Sequence, residues 1–403
     1  MKVKGKLSRQ SVLLLLVHGL FAAANALSGT FVNVFLWKAK HNFALLGWFA
    51  LVAQVAGAIT FYAAGKWVKE HNKMNGLRLG VAIAALFYLL VLLLGDKAVR
   101  YAIPLGLVLG TSSGFFWLAF NVVYFEVTGP DDRDTFNGWS GLLGSASGML
   151  APWVSGLIIS HVDGGKTGYR IVFALSLAVF VLGVVVSFFL KKRKVSGTYS
   201  WSYGFRQLAR PGTPWKRVFA GLVAQGIREG VFAFIIGVLI FIATKNEAKV
   251  GTFSLISSVV GLVSFWLIGK WIKPKYRVHT MLIGGLFMVL AIVPFFWKLN
   301  YSTLLIFGVT VAIVFPLYII PMTSSVFDLI GRDKESAAHR VEFIILRELG
   351  LIVGRILGIA AFIVVVTWDD SARAMNLLML AVGSSPLFAW WFMRRILREQ
   401  KAF

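Results

Sequence analysis

Twelve long apolar segments occupy most of this chain, and they restrict what it can fold into. Each is about 20 residues long or longer, enough for a helix to cross some 30 Å of hydrocarbon. Lipid-exposed backbone must satisfy its own hydrogen bonds, and the segments are too long and too uniformly apolar for barrel strands. The sequence therefore predicts an all-α membrane protein with twelve transmembrane helices. The segments run approximately from 10–37, 45–68, 77–95, 101–126, 136–160, 169–190, 218–243, 250–272, 278–297, 302–328, 341–367 and 372–393.

The overall composition supports a membrane protein and argues against a nucleic-acid-binding one. Hydrophobic residues make up 58% of the chain and charged residues only 14%, which is atypical of a soluble protein. The formal net charge of +24 would suggest nucleic acid in a soluble protein. Here most basic residues lie in the loops between apolar segments, so we expect the lipid bilayer as a partner and no nucleic acid.

The distribution of basic residues predicts the orientation in the membrane. With both termini inside, the inner segments contain 28 Lys and Arg residues and the outer loops 10, while three arginines lie within apolar segments. Cytoplasmic loops are enriched in Lys and Arg. We therefore expect a multi-pass protein of the cytoplasmic membrane with both termini in the cytoplasm.

The two halves of the chain resemble each other, which indicates an internal repeat. At an offset of 202 residues, Gly148 aligns with Gly350 and Gly156 with Gly358; at 204, the five residues from Gly65 resemble those from Gly269. Six helices in the same orientation on each side indicate a parallel repeat. We predict an amino-terminal bundle at 1–190, a basic cytoplasmic linker at 191–217 and a carboxy-terminal bundle at 218–403.

The sequence lacks the residue patterns of an enzyme or a metal protein. It has no cysteine, its six histidines show no metal-ligand spacing, and no nucleophile–base pair or nucleotide-binding motif is visible. We therefore predict no enzymatic activity, no metal site and no cofactor.

At this point the sequence resembles the major facilitator superfamily of secondary transporters along essentially its whole length. Gly65 and the following basic residues are similar to the family's motif between helices two and three, although Lys69 stands where the family has Asp. The segment from Gly148 through Pro152 to Gly156 is similar to the family's antiporter motif, with Ala and Ser replacing two glycines. The resemblance implies two six-helix bundles, alternating access and a cavity lined by helices one, four, seven and ten.

Ionisable residues within apolar segments are costly and therefore suggest function. Arg228 and Glu229 lie near the middle of the seventh segment, and Arg347, Glu348 and Arg355 lie in the eleventh. Seven residues advance a helix by nearly two turns, so Glu348 and Arg355 share a face. We expect Arg228, Glu229 and Arg355 to form one cluster that binds substrate or protons. A purely structural ion-pair network is the alternative.

The amino-terminal half offers polar residues without strong charge. Asn25 and Asn33 fall on one broad face of the first helix, and Asn121 and Tyr124 lie in the fourth. They are further candidates for substrate binding, although such residues often bond only to neighbouring helices. A second set, close to the ends of segments or at a helix kink, is predicted to act in gating or loop anchoring: Gly65, Lys69, Glu126, Arg133, Pro152, Gly269, Asp328 and Arg332.

The function predicted from these features is secondary active transport of a small solute, coupled to protons. Proton coupling needs a carboxyl group whose protonation responds to burial and to a nearby cation, and Glu229 and Glu348 meet that need. An arginine facing the cavity suits an anionic or zwitterionic substrate. Alternatives are an exporter of amphipathic drugs or lipids and a non-transporting sensor or scaffold. We expect a monomer.

Overall fold

A computed structural model gives the architecture of most of the chain. It describes residues 7–71, 73–128, 133–162, 166–191, 199–272, 274–330 and 339–399. Regular structure within these ranges is entirely helical, without a β-strand.

The α-helices are numbered here in chain order over the described residues. The first half contains α1 (Arg9–Lys40), α2 (Phe43–Glu70), α3 (Lys73–Leu94), α4 (Ala102–Val127), α5 (Arg133–His161) and α6 (Lys166–Ser187). The second half contains α7 (Tyr203–Ala209), α8 (Trp215–Thr244), α9 (Glu247–Trp271), α10 (Arg277–Leu290), α11 (Tyr301–Ile330), α12 (Arg340–Trp368), α13 (Ala372–Gly383) and α14 (Ser385–Glu399).

The described helices agree with twelve predicted membrane segments. Within the described part of the chain, eleven stretches are long and apolar enough to cross a membrane. One of them, Lys73–Tyr124, is 52 residues long and contains both α3 and α4, separated by the 3₁₀-helix Gly95–Tyr101. Counting these as two gives twelve segments and confirms the predicted all-α fold.

Three segments differ in detail from the sequence prediction. The twelfth is divided at Ser384 into α13 and α14, with Pro386 in the first turn of α14, where proline's missing N–H is tolerated. In the ninth, α10 ends at Leu290 and the 3₁₀-helix Val293–Phe296 follows, because Pro294 cannot continue the α-helical hydrogen bonds. The predicted linker contains α7, while its residues 192–198 lie outside the described residues.

Corresponding helices in the two halves end in the same unusual way. His41 caps α1 with φ 48°, and Lys245 caps α8 with φ 50°. Both are left-handed residues other than glycine, which are uncommon. They are 204 residues apart, an offset already found in the sequence repeat. The repeat therefore extends to backbone conformation.

The chain forms two compact units. One comprises Met1–His41, Val52–Ser200 and Asn246–Leu255, and the other comprises Asn42–Leu51, Trp201–Lys245 and Ile256–Phe403.

Equivalent helix pairs pack together inside each unit. In the first unit α1 packs on α5 and α6, and α3 packs on α4 and α6. In the second unit α8 packs on α12 and α14, and α10 packs on α11 and α14. The pairing of α8 with α12 positions the charged side chains described next.

Candidate functional site

Glycines bring α8 and α12 into close contact. A Cβ atom at Gly226 would overlap the carbonyl oxygen of Leu351, and one at Gly354 would overlap that of Val223. Gly230 and Gly358 meet the facing backbone in the same way. Small residues spaced four apart allow two membrane helices to approach so closely that their backbones are in contact. Side chains that project from the edges of this contact therefore lie within reach of each other.

Arg355 on α12 binds two carboxylates at the edge of this contact. Its Nη2 lies 3.0 Å from Oε2 of Glu229 on α8, and its Nη1 lies 3.1 Å from Oε1 of Glu348. Nε also donates to Oε2 of Glu229 over 3.3 Å. The planar guanidinium can serve both acceptors because its five donors point in fixed directions. The structure therefore brings together three residues predicted from the sequence.

Two flanking residues also bind these carboxylates. Gln225, one turn before Glu229, donates from Nε2 to Oε1 of Glu229 over 2.6 Å. Arg347 donates from Nη1 to Oε2 of Glu348 over 3.5 Å, at the long limit for a hydrogen bond, and its guanidinium also lies 5.4 Å from the ring centre of Phe327. Each glutamate therefore accepts from Arg355 and from one further side chain.

Arg228 differs from Arg347 and Arg355 because it forms no ion pair or hydrogen bond with a carboxylate of the described residues, although it interacts electrostatically with the neighbouring Glu229. Its side chain is only 8% exposed, and its Nε is buried without a hydrogen-bond acceptor. Its guanidinium lies 4.6 Å from the ring centre of Phe232, a cation–π contact. The hydroxyl of Tyr318, which interacts electrostatically with Arg228, is likewise buried and unbonded. A buried guanidinium without an acceptor is costly, so this position suits an incoming anion.

The five charged residues leave one positive charge uncompensated. Three arginines face two glutamates, namely Arg228, Arg347 and Arg355 against Glu229 and Glu348. The side chains of the Arg355 triad are 19–28% exposed, so they are neither fully buried nor freely solvated. Arg355 can therefore exchange one ion-pair partner for another at a moderate cost in free energy, because these groups retain limited access to water.

The structure does not bring the amino-terminal candidates together. Asn25, Asn33 and Asn121 each donate to a backbone carbonyl four residues earlier in the same helix, over 2.9, 3.3 and 2.8 Å. Tyr124 packs against Phe136, with ring centres 5.3 Å apart. The asparagine contacts are therefore local to their own helices, whereas the contact of Tyr124 joins α4 to α5.

The predicted gating residues lie in varied surroundings. Lys69 is 5% exposed, near the ring of Tyr199, whereas Gly269, the repeat counterpart of Gly65, is exposed with open space beside it. Asp328 forms a 2.8 Å ion pair with Arg277. Gly65 and Pro152 are buried within α2 and α5. The structure does not describe the side chains of Glu126 and Arg133, nor any part of Arg332.

Sequence reasoning missed three parts of this site. Gln225 and Tyr318 gave no signal because a single polar residue in an apolar helix has many possible roles. The glycine pairs, by contrast, were readable as a small-xxx-small pattern at Gly226 and Gly230 on α8 and at Gly354 and Gly358 on α12. That pattern would have predicted the α8–α12 contact directly.

Solved structures share this fold. A bacterial homologue of the iron transporter ferroportin in an outward-facing state matches with a TM-score of 0.69 at 14% identity, covering 98% of this chain and 100% of that chain. The nucleoside transporter NupG matches with a TM-score of 0.69 at 14% identity, covering 96% and 99%. A D-xylose–proton symporter gives 0.69 at 12% identity, covering 95% and 97%. These likenesses establish the fold.

Sequence comparisons establish the family. The chain is 40% identical over 390 residues to the uncharacterized protein YqgE of Bacillus subtilis (strain 168), covering 96% of this chain and 90% of that protein. It is 44% identical over 168 residues to an uncharacterized protein of Geobacillus stearothermophilus, covering 42% of this chain and 78% of that protein. The family model of the Major Facilitator Superfamily matches residues 13–354. The chain therefore belongs to the Major Facilitator Superfamily, and it is a multi-pass membrane protein and secondary transporter rather than an enzyme.

Proposed function

We propose that this transporter couples the movement of a small solute to protons and that Glu229 carries the proton. The observation that supports this most is the sharing of Arg355 between Glu229 on α8 and Glu348 on α12. One cation bound to two carboxylates gives the site two arrangements of similar energy, depending on which carboxylate is charged. Such a bistable element is what a coupled transporter needs.

Protonation of Glu229 supplies a switch between these arrangements. A neutral Glu229 loses its ionic attraction to Arg355, which then binds Glu348 alone. The backbones of α8 and α12 stay in contact through their glycines, so the side chains move before the helices do. In parallel-repeat transporters, alternating access follows as one bundle rocks against the other around a midplane site.

The substrate class follows from Arg228. Its buried guanidinium has an aromatic neighbour and no acceptor in the described chain, so a carboxylate or another anionic group of the solute would complete its hydrogen bonds. We therefore propose an anionic or zwitterionic solute. Two proteins of this fold are a nucleoside transporter and a D-xylose–proton symporter, so the fold alone does not select a cargo.

An exporter of drugs or lipids is the second candidate, and its main support is the antiporter-like motif of α5. A Cβ atom at Gly156 would press on the carbonyl oxygen of Glu247, and one at Gly251 would press on that of Pro152. Gly156 therefore serves the packing of α5 against the first turns of α9, whereas a Cβ atom at Gly148 would contact nothing within 4 Å. Because packing accounts for Gly156, that glycine gives little reason to favour export.

The proposed placement is the cytoplasmic membrane, with both termini and the linker at 191–217 inside, and with the protein acting as a monomer. On this view a set of residues near the inner ends of helices acts in gating, while Pro152 shapes α5. The gating set comprises Gly65, Lys69, Glu126, Arg133, Gly269, Asp328 and Arg332.

The absence of native cysteine makes a labelling test of this orientation simple. Ser202→Cys should resist a membrane-impermeant maleimide in sealed cells, whereas Lys298→Cys in an outer loop should react; the reverse pattern would invert the orientation.

The proton role can be tested before the solute is known. Proteoliposomes adsorbed on a solid-supported membrane should give a transient current after a pH jump, because the triad binds protons. Glu229→Gln should remove most of that current, and Lys166→Gln, at an exposed ion pair with Asp96, should leave it unchanged. A wild-type current retained by a folded Glu229→Gln protein would exclude Glu229 as the carrier.

The solute can then be sought with the same vesicles. Pyranine trapped inside reports pH while small carboxylates, amino acids and uncharged amides of the same size are added outside. We expect a pH change with an anionic or zwitterionic member of the panel and none with its amide. A response to uncharged solutes alone would overturn the substrate class, and active uptake without a pH change would overturn proton coupling.

A further inference from the structure

A basic groove lies between the first turn of α8 and the last turns of α14, away from the charged site described above. It has a volume of about 420 Å³. It is lined by Lys216, Arg217, Ala220, Trp391, Phe392, Arg394 and Arg395. Arg228 lies 12 residues beyond Lys216 on the same helix, some 18 Å along its axis. The groove is therefore a separate feature from the proposed transport site.

Among the described residues, the groove is lined by four cations and no carboxylate. Lys216, Arg217, Arg394 and Arg395 form no ion pair with any residue in the described ranges. Arg217 also lines a neighbouring cavity that contains Glu399, which is the nearest acidic side chain on these two helices. The groove itself therefore remains strongly positive.

The position of two of these cations makes the positive charge more pronounced. Lys216 and Arg217 lie in the first turn of α8, which has no acidic residue. The amino-terminal end of a helix already has a positive partial charge, so cations are disfavoured there. The same partial charge favours an anion. Local charges and backbone together therefore select a negatively charged ligand.

Aromatic side chains continue from the cations towards the apolar part of the helix. Arg394 lies 5.6 Å from the ring centre of Trp391, which is 51% exposed. Phe388, one turn earlier on α14, is 59% exposed. Together with Arg395 they follow helical spacing, so one face of α14 changes from aromatic to basic at the end of the span. Tryptophan and arginine at this level are typical of the membrane–water interface.

We propose that this groove binds the phosphate headgroup of an anionic phospholipid of the cytoplasmic leaflet, with an acyl chain against Trp391 and Phe388. Basic pockets between helix ends on this side are suited to anionic headgroups. Basic residues that served only to set the orientation in the membrane would need neither a groove nor exposed aromatic side chains beside them. The bound lipid would bridge α8 and α14, two helices that pack together within the second unit.

Lipid titration followed by native mass spectrometry tests this proposal. The detergent-purified full-length protein is titrated with dioleoyl-phosphatidylglycerol and, in parallel, with dioleoyl-phosphatidylcholine. We expect one tightly retained phosphatidylglycerol and weaker binding of phosphatidylcholine. Lys216→Gln/Arg395→Gln should weaken phosphatidylglycerol binding by about 30-fold, taking about 1 kcal/mol for each basic residue near the headgroup. Both side chains are exposed, so the fold should tolerate the change.

A matched variant separates a built site from diffuse charge. Arg206→Gln/Arg210→Gln removes the same charge from exposed positions of α7 and its end, outside the groove. It should leave phosphatidylglycerol binding within about twofold of wild type, whereas equal losses in both variants would show that only net charge matters. Unchanged phosphatidylcholine binding serves as the folding control. Competition by inorganic phosphate as strong as that by the lipid would assign the groove to free phosphate and overturn the lipid proposal.

Discussion

The two halves of this transporter share a helical plan but differ in where they place charge. Aligned at the offset of 202 residues, Glu229 and Arg355 of the second half correspond to Leu27 and Trp153 of the first. Left-handed caps, small residues and helix pairs persist in both halves. The comparison shows that the halves share their helix pairing, although only one of the four glycines at the α8–α12 contact, Gly358, aligns with a glycine, while the proposed coupling residues occur in one half.

The glycine contact should give the largest effect when it is disrupted. Gly354→Ala adds a methyl group against the carbonyl oxygen of Val223, which forces α8 and α12 apart. Overpacking of this kind costs about 1–3 kcal/mol. It also separates Glu229 from Arg355, so we expect a lower melting temperature by intrinsic tryptophan fluorescence together with loss of the pH-jump current.

An open glycine in the first half provides the control. Gly144 lies in α5, the repeat partner of α12, and an added Cβ there would contact nothing within 4 Å. Gly144→Ala should therefore be neutral or raise stability by about 0.5–1 kcal/mol through helix propensity. Equal destabilisation by the two substitutions would refute the idea that the close contact is specific to α8 and α12.

The second prediction concerns the arginine that joins the two carboxylates. Arg355→Lys keeps the charge but replaces a forked donor by a single ammonium, which cannot reach both glutamates in the same geometry. Loss of one hydrogen bond between charged groups costs about 1.5–3 kcal/mol. We expect a comparable fall in the free energy of unfolding and at least about a tenfold slower uptake of the solute found with the pyranine assay.

Arg347 offers the matched comparison on the same helix. It makes one long contact to Glu348 at 3.5 Å and lies beside Phe327. Arg347→Lys should preserve that weak contact, so its effect on uptake should be at most about threefold, equivalent to a few tenths of a kcal/mol. If Arg347→Lys proves the more damaging variant, the assignment of Arg355 as the central residue is wrong.

Much of the fold was predictable because its signals are repetitive along the chain. Long apolar segments, loop charges and a five-residue match between Gly65 and Gly269 each indicate a duplicated helical membrane protein. The interruptions of α10 and of α13–α14 depend on local backbone choices near Pro294 and Ser384, which average hydropathy does not resolve.

The site was only partly predictable from the sequence. Glu229, Glu348 and Arg355 could be grouped because intramembrane charges need partners. The lack of a hydrogen-bond acceptor for Nε of Arg228 depends on how the side chain packs against Phe232, and sequence spacing does not fix that orientation. The asparagines of the first half are equally polar in sequence, yet their amide nitrogens donate to carbonyls of their own helices.

The smallest effects are expected for those asparagines, and they test the asymmetry between the halves most sharply. Asn25 donates to the carbonyl of Phe21 and Asn121 to that of Trp117, each within its own helix. A backbone carbonyl in a helix already accepts a bond from its own turn, so removing the amide leaves little unsatisfied. Asn25→Ala and Asn121→Ala should each change the free energy of unfolding by no more than about 0.5 kcal/mol.

In these two asparagine variants, uptake at solute concentrations below KM should stay within about twofold of wild type. Arg228→Gln should instead reduce uptake strongly, because it removes the proposed anion contact. Loss of uptake in either asparagine variant with an unchanged melting temperature would show that the first half binds solute directly, and the assignment of the site to the second half alone would then fail.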